Sequence, residues 1–119
     1  MRVLLIEDDW AVRQSLEMVL RDDAMCVDGA DCGEEGIQTA RRYDYDVIVL
    51  DLSLPDMSGL EVVRSLRRAK LKTPVIILSG SAVAEDKINA LQCGADDYMT
   101  KPVSCDDLTA RMRTVMLAA

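Results

Sequence analysis

The sequence predicts an α/β domain: five βα units, (βα)5, around one five-stranded parallel sheet covered by helices on both faces. Three observations predict it. Short apolar runs alternate with segments of helical period, the pattern of strand–helix–strand units. The run Val47-Ile48-Val49-Leu50 is apolar at all four positions and carries two valines, as suits a central strand buried on both sides. Finally, the runs empty into polar residues, and in open sheets of this kind the carboxyl edge is where ligands bind.

The first strand is Val3-Leu4-Leu5-Ile6, closing on Glu7-Asp8-Asp9. A helix follows, with Val12, Leu16, Val19 and Leu20 on one stripe and Asp9 as its N-cap. Met25-Cys26-Val27 makes a weaker second strand ending near Gly29, and the second helix, about 34 to 43, faces Ile37 and Ala40 inward. The third strand closes on Asp51. A Pro55-Asp56 turn then leads to Ser58-Gly59-Leu60-Glu61, whose S-x-x-E spacing fits a capping box. The third helix carries Val63 and Leu66 inward and Arg64, Arg67 and Arg68 on an exposed basic face. Thr73-Pro74 precedes the fourth strand, Val75-Ile76-Ile77-Leu78, which closes on Ser79-Gly80-Ser81. The fourth helix, about 84 to 93, has Ile88 and Leu91 as its large inward residues and stops at Gly94. A short fifth strand around Asp97-Tyr98-Met99 closes on Thr100-Lys101-Pro102. The last helix, capped by Ser104, aligns Leu108, Met112, Val115 and Met116.

With 119 residues, one domain spanning 1–119 is expected. No apolar run approaches a membrane span and the N-terminus enters a strand directly, so a cytoplasmic protein without a membrane partner is expected. Cys26, Cys32, Cys93 and Cys105 lack C-x-x-C spacing and read as free thiols. A net charge of −7 argues against direct binding of a nucleic-acid backbone. The chain contains no histidine, which removes histidine bases, His-based triads and H-E-x-x-H zinc chemistry together. No P-loop motif is present either.

Parallel strands deliver their last residues to one edge: Glu7 and Asp8, Asp51, Ser79 and Lys101. Taken singly, each has a plain structural reading as a turn residue, a cap or a surface charge. Taken together, three carboxylates repel one another unless a cation sits among them or some take up protons. A few carboxylates plus waters suit Mg2+ better than a closed Ca2+ cage. Lys101 and the Ser79 hydroxyl then serve as donors to an anion, the equipment for moving a phosphoryl group onto Asp51.

These residues carry a resemblance over essentially the whole chain. Ile6-Glu7-Asp8-Asp9, the Asp51-to-Gly59 stretch, Ile77-Leu78-Ser79 and Gly94-Ala95-Asp96-Asp97-Tyr98-Met99-Thr100-Lys101-Pro102 together resemble the receiver domain of bacterial two-component response regulators. The Tyr98-to-Pro102 ending is similar to the OmpR/PhoB class. Tyr43-Asp44-Tyr45-Asp46 and Leu78-Ser79-Gly80-Ser81 look most like its CtrA-type cell-cycle transcription regulators. The resemblance implies a flavodoxin/CheY-like sheet in the order 2-1-3-4-5. It also implies that Asp51 is the phosphoacceptor, taking its phosphoryl group from a histidine kinase or a histidine phosphotransferase. Mg2+ would be held by Glu7, Asp8, Asp51 and the backbone carbonyl of Ser53. Lys101 and Ser79 would contact the phosphoryl oxygens, and the Lys101–Pro102 bond would be cis.

A switch is implied as well, in which Ser79 moves toward the phosphoryl group and Tyr98 turns inward. The surface of the fourth helix, fifth strand and fifth helix then changes and forms a homodimer through Lys87, Asp97, Asp107 and Arg111. Such a chain is no enzyme in the usual sense but a phosphoacceptor that assists its own phosphotransfer and dephosphorylation. Full-length members of the class carry a C-terminal winged-helix DNA-binding domain, expected in a longer parent and absent from these 119 residues. Three departures stand out: Gly80 where alanine is usual, Val103 where phenylalanine is common, and Ala118 in place of an arginine of the dimer face. Two other readings compete. One is a stand-alone receiver acting as a phosphorelay or docking module. The other is an aspartate-nucleophile phosphatase, against which Ser53 stands where that chemistry needs a second aspartate.

Overall fold

Strand and helix alternate without exception along residues 1–118, the residues described by the structure, which is a computed structural model. In chain order they are β1 (Arg2–Ile6), α1 (Trp10–Asp22), β2 (Cys26–Ala30), α2 (Gly33–Arg42), β3 (Val47–Asp51), α3 (Gly59–Arg68), β4 (Val75–Ser79), α4 (Ala84–Gln92), β5 (Asp97–Thr100) and α5 (Cys105–Ala118). All strand pairs are parallel and the order is β2-β1-β3-β4-β5, as expected. The expected domain boundary at Ala119 lies outside the described residues.

The register decides where the chemistry goes. Ile6 pairs with Leu50, Asp51 with Leu78, and Ser79 with Thr100. Glu7 and Asp51 therefore stand level at the same edge, with Ser79 one register step and Lys101 two steps beyond them. Every residue of β3 and β4 is buried, so these strands are locked in place and their last side chains have little freedom.

Alternation along the strands splits the core in two. Leu4, Ile6, Ile48, Leu50 and Ile77 face α2, α3 and α4, meeting Ala40, Val62, Val63, Leu66 and Ala90. Val3, Leu5, Val49, Ile76 and Leu78 face α1 and α5, meeting Leu16, Leu20, Leu108, Met112 and Val115. Among the described residues, no helix is long and apolar enough to cross a membrane.

Several local expectations hold. Asp9 caps α1, accepting from the Ala11 and Val12 amides at 3.0 and 3.2 Å. Gly94 ends α4 with φ +110°, a conformation that strains any side chain. The Ser104 hydroxyl accepts from the Asp107 amide at the start of α5. The Lys101–Pro102 bond is cis.

Three expectations are corrected. Ile88 and Leu91 do not face inward: they are 53% and 40% exposed, and the residue α4 buries is Ala90. The buried Tyr98 ring belongs to the same core cluster as Ala90, so a small residue is what lets the helix settle over the sheet. Arg67 does not join Arg64 and Arg68 on an exposed face. Its guanidinium turns in and donates to the carbonyls of Leu71, Thr73 and Gly94 and to Asp96 at 2.8–3.1 Å. The capping box is only half formed, because Ser58 accepts from the Leu60 amide at 3.1 Å while Glu61 pairs with Arg64 at 2.6 Å.

Candidate functional site

Glu7 extends the ladder of β1 one step, its amide donating to the Ala30 carbonyl at 3.1 Å. That step carries its side chain into the core edge, where it is 1% exposed. Both its oxygens are engaged: Oε1 accepts from the Asp9 amide at 3.1 Å and Oε2 from Lys101 Nζ at 3.1 Å. Lys101 Nζ also lies 3.2 Å from Asp51 Oδ1, so one ammonium spans two buried carboxylates. Asp8 is exposed beside them. Glu7, Asp8 and Asp51 each offer a carboxylate oxygen, and all three oxygens lie within 4.8 Å of one another.

The backbone around these groups is pinned. The Lys101 amide donates to the Ser79 carbonyl at 2.6 Å, and the Leu52 amide to the Leu78 carbonyl at 2.9 Å. Gly59 must be glycine, since a Cβ there would sit 2.7 Å from the Asp51 carbonyl oxygen. Ser79 is buried, its hydroxyl accepting from the Ser81 amide at 3.0 Å. Tyr98 is also buried, and its hydroxyl donates to the Ser81 carbonyl at 2.8 Å. Ser53 forms an isolated antiparallel bridge with Ser58 in the loop that follows Asp51.

Electrostatics fit a cation. Burial raises the Glu7 carboxyl above the usual range; the Asp9 amide opposes this, the Asp51 charge adds to it, and Lys101 opposes it. For Lys101, burial disfavours the charge, but the contacts with Glu7 and Asp51 prevail and its pKa is raised. Three carboxylates against one ammonium leave two negative charges uncompensated when all are ionised. An all-oxygen set of this charge suits a hard divalent ion. Softer metals have no ligand here, because no cysteine belongs to the cluster.

The residues expected to share the site are thus brought together: Glu7, Asp8, Asp51 and Lys101 directly, with Ser79 at the next strand end. The expected dimer-face residues lie elsewhere. Arg111 bonds Asp97 at 3.0 Å and Asp107 at 3.1 Å within the same chain, while Lys87 is exposed and makes no ion pair among the described residues.

Sequence reasoning missed Asp56, which it read only as part of a turn. Its Oδ1 accepts from the Gly33 amide at 2.8 Å and its Oδ2 from the Glu34 amide at 2.9 Å, at the first turn of α2. Those two bonds hold its carboxyl below the usual range. The one available sequence signal is that Cys32, the local N-cap of α2, has no side-chain oxygen to cap with.

Comparison with known proteins follows the same lines. Residues 3–113 match the model of the response regulator receiver domain. Over 116 residues the chain is 57% identical to the cell cycle response regulator CtrA of Brucella ovis, covering 98% of this chain and 50% of that protein. CtrA of Brucella abortus matches to the same extent. The chain therefore spans about half the length of the curated relatives it matches. Among solved structures, the receiver domain of Francisella response regulator 1452 superimposes with a TM-score of 0.94 at 34% identity, covering 98% of this chain and 97% of that one. The receiver domain of sensor histidine kinase PA1611 from Pseudomonas aeruginosa was solved with a magnesium ion coordinated in its active-site cleft. It superimposes with a TM-score of 0.88 at 29% identity, covering 97% and 96% of the two chains.

Proposed function

Because the chain belongs to the response regulator receiver domain family, we propose that it accepts a phosphoryl group on Asp51 from a histidine kinase or a histidine phosphotransferase. The observation that carries this reading is the gathering of Asp51, Glu7, Asp8 and Lys101 at one sheet edge. A carboxylate oxygen of Asp51 forms the new bond to phosphorus. The bond from phosphorus to the donor's ring nitrogen breaks, and that nitrogen keeps the electron pair. These 119 residues contain no histidine, so the donor group lies outside them.

Mg2+ is the expected cofactor, held by Glu7, Asp8, Asp51 and the backbone carbonyl of Ser53, and it supplies neutralisation of the phosphoryl oxygens. Lys101, already beside Asp51, turns to a phosphoryl oxygen, and Ser79 donates its hydroxyl to another. Tyr98 and Ser79 are the switch: both engage Ser81, so a shift of Ser79 toward the new group is felt at the Tyr98 hydroxyl. The α4-β5-α5 face is the output, with Lys87, Asp97, Asp107 and Arg111 serving a homodimer. Its support is the exposure of Val83, Ile88 and Leu91 on and beside α4. Arg111 pairs with Asp97 and Asp107 within one chain, so a second copy would have to share or exchange these contacts. The likeness to CtrA supports a place in cell-cycle control, through an attached winged-helix domain that binds DNA.

Incubation with acetyl phosphate and Mg2+, followed by intact mass measurement, should show gain of one phosphoryl group. Asp51→Asn should abolish the gain, and Asp8→Asn should demand more Mg2+ for the same yield. Label that persists in Asp51→Asn would place the acceptor elsewhere and overturn the reading.

A further inference from the structure

We infer that Asp56 is a positioning residue for the metal-binding edge: it clamps the loop between β3 and α3 onto the first turn of α2 and so braces the Ser53–Ser58 bridge through which Ser53 is presented. The inference rests on the function proposed above and adds a residue to it.

The loop's two ends are held without Asp56. The Leu52 amide is bonded to Leu78, and the Gly59 amide to the Leu52 carbonyl at 2.7 Å. Ser53 and Ser58 bridge just inside those ends. Between them, Leu54, Pro55, Asp56 and Met57 are tethered by the two Asp56 bonds and by Met57, packed where a Cβ on Gly33 would be. Ionised oxygens on backbone amides at a helix N-terminus are among the stronger exposed hydrogen bonds. Cys32 contributes no capping bond of its own, so α2 and the loop depend on the same carboxylate. Asp56 is not among the clustered carboxylates, so its effect on the site runs through the loop backbone.

The test is a Mg2+ titration followed by amide chemical shifts of residues 7, 8, 51 and 53, beside hydrogen exchange across 52–58 and thermal melting. Asp56→Ala should weaken Mg2+ binding about tenfold, as loss of outer-shell support does, and speed exchange in the loop. Asp56→Asn keeps one acceptor oxygen and should fall between Asp56→Ala and the unaltered protein. Ala40→Gly, which loosens α2 without touching the loop, should lower the melting temperature and leave Mg2+ affinity within about twofold. Mg2+ affinity unchanged in Asp56→Ala overturns the inference, as does an equal loss in Ala40→Gly. Failure of the unaltered protein to shift residues 8 and 51 on adding Mg2+ sinks the underlying metal reading instead.

Discussion

Gly80 stands immediately after the buried Ser79, and a Cβ built on it meets no heavy atom within 4 Å. Its backbone is outside the left-handed region, so nothing in the fold asks for glycine there. Gly80→Ala should therefore stabilise the protein by about 0.4–1 kcal/mol, mainly by restricting the unfolded chain. Urea unfolding measures this, and a lower midpoint would mean that the loop needs its extra freedom. Gly59 is the opposite case, wedged against the Asp51 carbonyl, where any side chain must displace backbone. Asp51 and Glu7 could be read from sequence because each directly ends or follows an apolar strand, and Lys101 because it directly follows the short β5. Asp56 could not, because its partners Gly33 and Glu34 are 23 and 22 residues away, and nothing local distinguishes it from any other turn aspartate.

At the level of elements, α4 is the least anchored helix. It buries only Ala90, and its N-cap residue, Val83, makes no side-chain cap bond. What holds its far end is Arg67 on α3, whose guanidinium binds Gly94 just beyond α4, together with Leu71, Thr73 and Asp96. Arg67→Ala leaves several part-buried carbonyls without their donor and should cost about 1–3 kcal/mol. It should also speed amide exchange in 84–92 more than in α1 or α5. Uniform loss of protection across the domain would show that the clasp serves the fold as a whole rather than α4. Helical period suggested Ile88 and Leu91 as the inward pair because it ranks residues by size. The packing instead buries the small Ala90 in the cluster that holds Tyr98, and period alone does not choose between a small and a large residue. The same blindness put Arg67 on an exposed face, since its partner Gly94 lies 27 residues away.

For the molecule as a whole, the fold was legible because a parallel sheet turns a linear pattern into one edge. Strand direction alone sends Glu7, Asp51, Ser79 and Lys101 to the same side, and the register sets Glu7 level with Asp51 and the other two within two steps. That edge carries a stability penalty that depends on pH. Burial raises Glu7, so in EDTA the folded state holds that proton more tightly than the unfolded chain does. Stability in the metal-free protein should therefore fall as pH rises from the ordinary glutamate range through the raised value. Glu7→Gln should flatten that slope and raise the neutral-pH melting temperature by a few degrees. Saturating Mg2+ should stabilise the unaltered protein, by about 2.7 kcal/mol at one hundred times its Kd. A slope unchanged by Glu7→Gln would assign the penalty to another group.

Lys101 has one more consequence. Its ammonium already rests between Glu7 and Asp51, so on the proposed function an incoming phosphoryl group would meet a cation standing in place and need not recruit one from bulk water. The ammonium would then have only to turn from a carboxylate oxygen to a phosphoryl oxygen beside it. The contact that calms the resting pocket is thus the same one that readies it to react.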